Sequence, residues 1–114
     1  MSSYAVANLT NVNFGDDIVA YLRGIDATLG PYQGRFIIHG GSFDRLEGNW
    51  KGDLIVIEFP DRARARAWYD SEQYRAIARL RTDNASSDVI LIDGVSADHK
   101  ATDILEGLNS GQRK

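Results

Sequence analysis

The chain has 114 residues, 43% hydrophobic and 25% charged, with a net charge of −3, which is the composition of one ordinary globular domain whose acidic balance argues against nucleic acid as a partner. It contains no cysteine, which excludes disulfides, thiolate catalysis and cysteine-ligated zinc. No apolar run approaches the roughly 20 residues of a membrane-spanning helix, and no secretory signal is visible, so we expect a cytoplasmic protein without a membrane partner.

The first quarter of the chain predicts a strand followed by a helix. Residues 3–12 favour a strand. Asn13 is placed to cap the helix that follows, and Gly-Pro at positions 30 and 31 ends it. Apolar residues recur at helical spacing between these limits. They are Phe14, Ile18, Leu22, Ile25 and Leu29, with Tyr21 beside them.

Two strands that form a hairpin come next. Residues 35–39 predict a strand, which Gly40 and Gly41 interrupt as a bulge or bend and which resumes through Leu46. Residues 47–53 predict the turn, and residues 54–59, LIVIEF, predict the second strand.

Six arginines lie between residues 62 and 81, in RARARAWYDSEQYRAIARLR. Alanine and arginine favour a helix over a strand, and Asp70 is placed to start a second helix. The arginines scatter around both helices, which predicts solvated faces and no nucleic-acid contact. The side without arginine carries Ala63, Ala67 and Trp68. Arg81 alone is in phase with apolar residues, and we expect it beside a carboxylate or a cavity.

The remaining chain predicts a last strand at residues 86–93 and a short helix at residues 101–108. The order β-α-β-β-α-β predicts an α+β, ferredoxin-like protomer with a four-stranded antiparallel sheet. We expect the domain to comprise residues 1–95 and a polar tail to comprise residues 96–114.

The strands predict a homodimer. Two helices cover one face of a four-stranded sheet, so the other face should be polar if it meets water. The stretches FII, LIVI and VILI are instead apolar on both faces. A second copy is the simplest cover, and its sheet would pack face to face with the first as a dimeric α/β barrel. The alternative cover is the tail helix, which at about two turns is too small.

Several stretches then resemble one known family. HGGSFDRLEGNW, LIVIEFPD, AWYDSEQYRAIARLR and a final strand ending in DG resemble the small bacterial family catalogued as domain of unknown function 1330, over residues 4–95. The resemblance implies a ferredoxin-like protomer in a dimeric α/β barrel. That wider group includes cofactor-free monooxygenases, muconolactone isomerases, haem-binding members and ligand-sensing domains, so the resemblance implies no single function.

His39 and Glu47 are the predicted catalytic residues. His39 ends a strand beside two glycines that leave room for a small molecule, and imidazole transfers protons near neutral pH. It can equally be a core or interface histidine. Glu47 lies in the hairpin turn, where it can act as a base or remain an exposed turn carboxylate.

Five further residues are predicted to bind the ligand. They are Trp50, Glu58, Tyr69, Tyr74 and Arg81. Glu58 interrupts an apolar strand and needs a partner, either an arginine such as Arg81 or a ligand. The aromatic residues can hold a flat molecule, although aromatic residues at helical spacing also build cores.

We expect no metal and no cofactor, because His39, Asp44 and Glu47 lack a recognised metal-ligand spacing and no phosphate-binding loop or dinucleotide fingerprint is present.

The predicted function is binding of a small, partly apolar molecule, with cofactor-independent proton transfer or oxygenation as its enzymatic form. The alternative is a non-catalytic binding or sensing module, since no complete nucleophile, base and orienting group is visible. A structural partner protein without a pocket is the third possibility.

Overall fold

The computed structural model describes residues 1–109; residues 110–114 of the predicted tail lie outside the described part. The elements are β1 (Ser3–Thr10), α1 (Asp16–Leu29), β2 (Arg35–His39), β3 (Asp53–Phe59), α2 (Arg62–Asp70), α3 (Glu72–Thr82), β4 (Ser86–Asp93) and α4 (Ile104–Asn109), with 3-10 turns at Gly30–Tyr32 and Ala101–Asp103. The predicted ferredoxin-like α+β arrangement is confirmed, with its second helix divided into α2 and α3.

The four strands form an antiparallel sheet in the order β2-β3-β1-β4. Side chains alternate between the two faces of each strand, and the register fixes which residues share a face. The helices pack on what we term the covered face, which carries Ala5, Ala7, Leu9, Ile55, Ile57, Val89 and Leu91. The opposite, open face carries Tyr4, Val6, Val56, Glu58, Ile90 and Ile92.

A bulge in β2 sets the direction of its last side chain. Phe36 pairs with Ile57 and His39 pairs with Ile55, so one extra residue lies between them and both point to the covered face. Their rings stack with centroids 4.2 Å apart. A bulge or a bend was predicted at the two glycines; the chain bends at Gly40, and the bulge lies between Phe36 and Ile38.

The predicted continuation of β2 through Leu46 is wrong. Gly40 and Gly41 have φ angles of +66° and +97°, which an extended strand does not allow. The chain therefore leaves the sheet after His39. Residues 41–50 are all exposed and form an irregular loop before β3.

The core lies between the covered face and the helices, with Phe59 fully buried and Trp68 nearly so. The indole nitrogen of Trp68 donates to Thr28 Oγ1 at 2.9 Å. Ala65 lies three residues before Trp68 on the same side of α2 and is buried too. The side of α2 that carries these two residues therefore faces the core. Ala63 and Ala67, predicted on the inner side, are exposed.

Two helix starts differ from the prediction. Gly15, and not Asn13, precedes α1; the backbone amide of Asn13 donates to the carbonyl of Asn84 at 2.7 Å and its side-chain amide donates to Asn84 Oδ1 at 3.2 Å. Ser71, and not Asp70, caps α3 by accepting from the backbone amide of Tyr74 at 3.2 Å. In both cases, the predicted residue lies within two positions of the observed one and has a side chain that is common at helix N-caps.

The predicted solvated arginines are confirmed, since Arg62, Arg64, Arg66, Arg75 and Arg79 are exposed, and Arg81, the predicted exception, is buried. The open face is apolar as predicted, and in the single chain Ile90 and Ile92 are 54% and 48% exposed. In the tail helix, Ile104 and Leu105 are 49% and 51% exposed. Within residues 1–109, no helix is both long and apolar enough to cross a membrane.

Candidate ligand-binding site

A cavity of about 360 Å³ lies between the covered face and the helices, within the roughly 300–1,000 Å³ typical of small-molecule sites. Its floor is formed by the sheet, where β1 contributes Ala5, Ala7 and Leu9 and β3 contributes Ile55 and Ile57. The two alanines lie on a central strand, where larger side chains would fill the space. The cavity therefore follows from small residues at the positions of β1 that face the helices.

The roof of the cavity comes from three helices. On α1, Ile18, Tyr21, Leu22 and Ile25 follow helical spacing and face the sheet; α2 adds Trp68 and Tyr69; α3 adds Tyr74 and Arg81. Most of the wall is hydrocarbon or aromatic ring, so it favours an apolar ligand.

A chain of polar groups interrupts this apolar wall. The hydroxyls of Tyr21 and Tyr74 are hydrogen-bonded at 2.7 Å. Arg81 donates to the hydroxyl of Tyr74 at 3.3 Å through Nη2 and to Ser87 Oγ at 2.8 Å through Nη1. Its guanidinium carbon also lies 6.0 Å from the ring centroid of Tyr21.

Arg81 is a buried charge without an ionic partner in the described part of the chain. Its exposure is 5%, and no carboxylate among residues 1–109 forms an ion pair with it. Burial acts to lower the pKa of Arg81 and the phenols of Tyr74 and Tyr21 act to raise it, with a net upward direction. The guanidinium therefore keeps its charge. The expectation that Arg81 lies beside a cavity agrees with its position.

Burial, followed by the neighbouring Tyr74, raises the pKa of Tyr21 far above its ordinary value. The phenol of Tyr21 is therefore a neutral hydroxyl at any physiological pH. It can donate a hydrogen bond, but it does not serve as a base.

His39 and Asp53 line another part of the cavity, together with Gly40 and Gly41. Both side chains belong to exposed residues, so they lie where the cavity opens to solvent. The bulge described above is what directs His39 toward the cavity, because without the extra residue it would face the open side of the sheet.

The structure brings four predicted site residues to the cavity, namely His39, Tyr69, Tyr74 and Arg81. Glu47 and Trp50 lie instead in the exposed loop before β3, where the Trp50 carbonyl accepts from Arg45 at 3.0 Å. His39 and Glu47 therefore do not meet at the cavity.

Glu58 lies on the open face, opposite the cavity. Its carboxylate is paired with Arg35 at 2.8 Å and accepts from the Tyr4 hydroxyl at 3.4 Å. The arginine partner expected for Glu58 exists, but it is Arg35; Arg81 lies on the other side of the sheet.

Sequence reasoning missed Tyr21, Asp53 and the alanines of β1 as cavity residues. Tyr21 lies beside the apolar residues of the first helix in the sequence analysis, which assigned it no role in a site. The alternation of small and larger residues in YAVANL is the signal for a cavity floor. Among residues 1–109, no three His, Asp or Glu side chains lie close enough together to hold a metal ion.

Comparison with known proteins identifies a family. A model of the family described as Domain of unknown function (DUF1330) matches residues 2–95. No curated protein matches the chain.

Solved structures share the fold. A protein of unknown function from Rhodopseudomonas palustris is 17% identical, with 83% of each chain covered and a TM-score of 0.63. A dimeric ferredoxin-like protein of unknown function from Jannaschia sp. CCS1 is 12% identical, with 82% of this chain and 100% of that chain covered and a TM-score of 0.62. HapK from Hahella chejuensis is 18% identical, with 89% and 99% covered and a TM-score of 0.54. At these identities, the likeness extends to the fold alone.

Proposed function

The chain belongs to the DUF1330 family, a domain of unknown function, and we propose that it binds a small, largely apolar molecule in the cavity between its helices and its sheet. The observation that carries this proposal is the cavity itself, about 360 Å³ in volume. Well-packed interiors hold few voids larger than a water molecule. A space of this size, lined by apolar groups and a few converging polar ones, is typical of a ligand site.

The functional unit that we propose is a homodimer joined through the open faces of two sheets. Ile38, Ile90 and Ile92 are each two-fifths or more exposed in the single chain, and contiguous apolar surface of this kind marks an interface. The similar Jannaschia protein is described as dimeric. This assembly leaves the cavity on the far side of each sheet, so each protomer would keep its own site.

A second candidate function is cofactor-independent proton transfer at His39. The specific observation in its favour is that His39 lines the cavity and remains exposed to solvent. A neutral imidazole there would take a proton from the bound molecule and exchange it with solvent or return it at another atom. Of the two predicted reaction types, proton transfer is the one that this placement favours.

Two compact probes of matched shape test the binding proposal. We would titrate ¹⁵N-labelled protein with 2-naphthoate and with 2-naphthamide and follow backbone amide shifts by NMR. At least one probe should bind saturably and perturb amides around the cavity. Ala7→Leu, which fills the floor, should abolish that binding, whereas Ala67→Leu, at an exposed position of α2, should leave it intact. Cavity amides that respond to neither probe would contradict the proposal, as would unaltered binding by Ala7→Leu.

Catalysis is separated from simple binding by incubation with a pool of cellular small molecules. Mass spectrometry would then show either a ligand recovered unchanged or a product that accumulates with time. A product formed by the wild type and lost in His39→Gln supports proton transfer at His39. Unchanged ligand after long incubation supports the binding function alone.

A further inference from the structure

We propose that the polar part of the cavity wall binds an anionic oxygen, so that the ligand is a small amphipathic anion whose acidic group meets Arg81 and a phenol of the Tyr21–Tyr74 pair. This inference rests on the proposed binding function and names the chemical class of its ligand.

The first support is the charge of Arg81, which no carboxylate of residues 1–109 neutralises. Buried charges are normally paired or coordinated, because an isolated ion loses its hydration without compensation. Arg81 is only 5% exposed, and its hydrogen-bond partners among residues 1–109 are two neutral hydroxyls, of Ser87 and Tyr74. A guanidinium carries five N–H donors in a planar fork that matches a carboxylate. Two of those donors are engaged, so an acidic ligand can occupy others.

The second support comes from counting phenol protons. The hydroxyls of Tyr21 and Tyr74 share one hydrogen bond, in which either can be the donor. The other bond to this pair is donated by Arg81 to Tyr74. Two phenols supply two protons, and the bond between them uses one. Whichever hydroxyl donates, one phenol proton has no acceptor among residues 1–109. Buried hydroxyl donors normally find an acceptor, and a ligand oxygen in the cavity would supply it.

These groups share one chemical requirement. A guanidinium is a donor without an acceptor site, and the remaining phenol proton is a second donor beside it. When Tyr74 donates to Tyr21, the remaining proton is that of Tyr21, and burial raises the pKa of Tyr21, which keeps this proton in place. A carboxylate or another acidic oxygen, which only accepts when ionised, complements such a pair better than an amide or an alcohol does.

Strand β1 lies between this position and the carboxylate of Asp53, on the same face of the sheet. Arg81 bonds to Ser87, at the start of β4, whereas Asp53 begins β3, and β1 lies between these two strands. Two strand spacings of roughly 4.8 Å each lie between β3 and β4. The acidic group of the ligand would therefore lie on the β4 side, and its apolar part would extend over Ala5 and Ala7 toward β3.

The same two probes test this inference, because 2-naphthoate and 2-naphthamide differ mainly in charge and in hydrogen-bond donors. In the wild type, we expect 2-naphthoate to bind about ten-fold to a hundred-fold more tightly, as charge-assisted hydrogen bonds predict. Arg81→Gln should remove this preference. Arg79→Gln is the matched control, since it removes the same charge from an exposed position of the same helix, and it should keep the preference.

The outcomes distinguish this inference from the binding proposal. Equal affinity of the wild type for both probes, each bound in the cavity, would overturn the anion preference and leave the binding function standing. A preference retained in Arg81→Gln, or naphthoate-induced shifts confined to the exposed arginines of α2, would also overturn it. Failure of both probes to bind would overturn the binding function and this inference together. The wild-type comparison needs no variant, so it decides the matter even where Arg81→Gln does not fold.

Discussion

Tyr21 and Tyr74 lie 53 positions apart in the chain, and their hydroxyl oxygens lie 2.7 Å apart in the wall of the cavity. The rings meet edge to face, with centroids separated by 6.2 Å. This pair joins α1 to α3, and Arg81 extends it by donating to Tyr74. The contact therefore serves the packing of the helices and the polarity of the cavity at once.

The two tyrosines should differ in their effect on stability. Tyr74→Phe removes an acceptor from buried Arg81 as well as the partner of Tyr21, so we expect a loss of about 2–3 kcal/mol in the free energy of unfolding. Tyr21→Phe leaves the Arg81–Tyr74 bond intact and should cost about 1 kcal/mol. Urea unfolding followed by circular dichroism measures both values. The reverse order of the two losses would show that Arg81 does not depend on Tyr74.

Gly34 is required by the close approach of the core. A β-carbon at this position would lie 2.6 Å from Cε1 of Phe59 and 3.0 Å from Cδ2 of Leu29. Phe59 is fully buried and cannot move aside freely, so Gly34→Ala should cost about 1–3 kcal/mol through overpacking. Gly30→Ala is the control, because no atom lies within 4 Å of its β-carbon position. It should be neutral or stabilising by up to about 1 kcal/mol. Equal thermal unfolding of the two variants would refute the predicted clash.

The proposed homodimer predicts a specific effect on sedimentation. Ile90→Asp places a charge on the open face, where we expect it to dissociate the dimer, because an unpaired charge in an apolar interface is costly. Leu105→Asp makes the same kind of change on the tail helix and should leave the dimer intact. Analytical ultracentrifugation across a range of protein concentrations reads out both. A wild type that sediments as a monomer at every concentration would exclude the dimer.

The ion pair of Arg62 and Asp93 predicts a pH dependence of stability. The hydrogen bond from Arg62, at 3.0 Å, lowers the pKa of Asp93 below its ordinary 3.8. A depressed pKa in the folded state means that the stabilisation is fully present above the ordinary value and is lost as the pH falls through the folded one.

The stability difference between wild type and Asp93→Asn should therefore be constant near neutral pH and shrink as the pH drops below 3.8. Because both side chains are exposed, the difference should be small. Urea unfolding at several pH values measures it, with Asp26→Asn as an exposed control on α1. A difference that grows on acidification would mean that the pair does not stabilise the fold.

Much of the fold could be predicted because its signals are local. The alternation of β-formers, the helical spacing of apolar residues and the breakers at Gly30 and Pro31 place the elements of the sheet in the right order. The last strand, residues 86–93, has the predicted bounds. The wrong predictions concern the helix caps and the loop after His39. At the caps, several neighbouring residues have suitable side chains, and tertiary contacts determine which of them precedes the helix.

The candidate site was less predictable for a related reason. His39, Tyr69, Tyr74 and Arg81 were selected by residue type, and they do line the cavity. Glu47, Trp50 and Glu58 were selected by the same reasoning and lie elsewhere. Residue type indicates which chemistry is possible, but the face on which a side chain lies depends on register, and one bulge reverses that face.

By itself, the sequence determined the βαββαβ order, the apolar character of both sheet faces and the family, because each depends on patterns within short stretches. Only the tertiary structure decided that a bulge at Ile37 turns His39 toward the helices, that Glu58 pairs with Arg35, and that Arg81 bonds to Tyr74 while no carboxylate of residues 1–109 pairs with it. These relationships join residues across strands and helices. They are set by how the helices pack on the sheet, which no local pattern specifies.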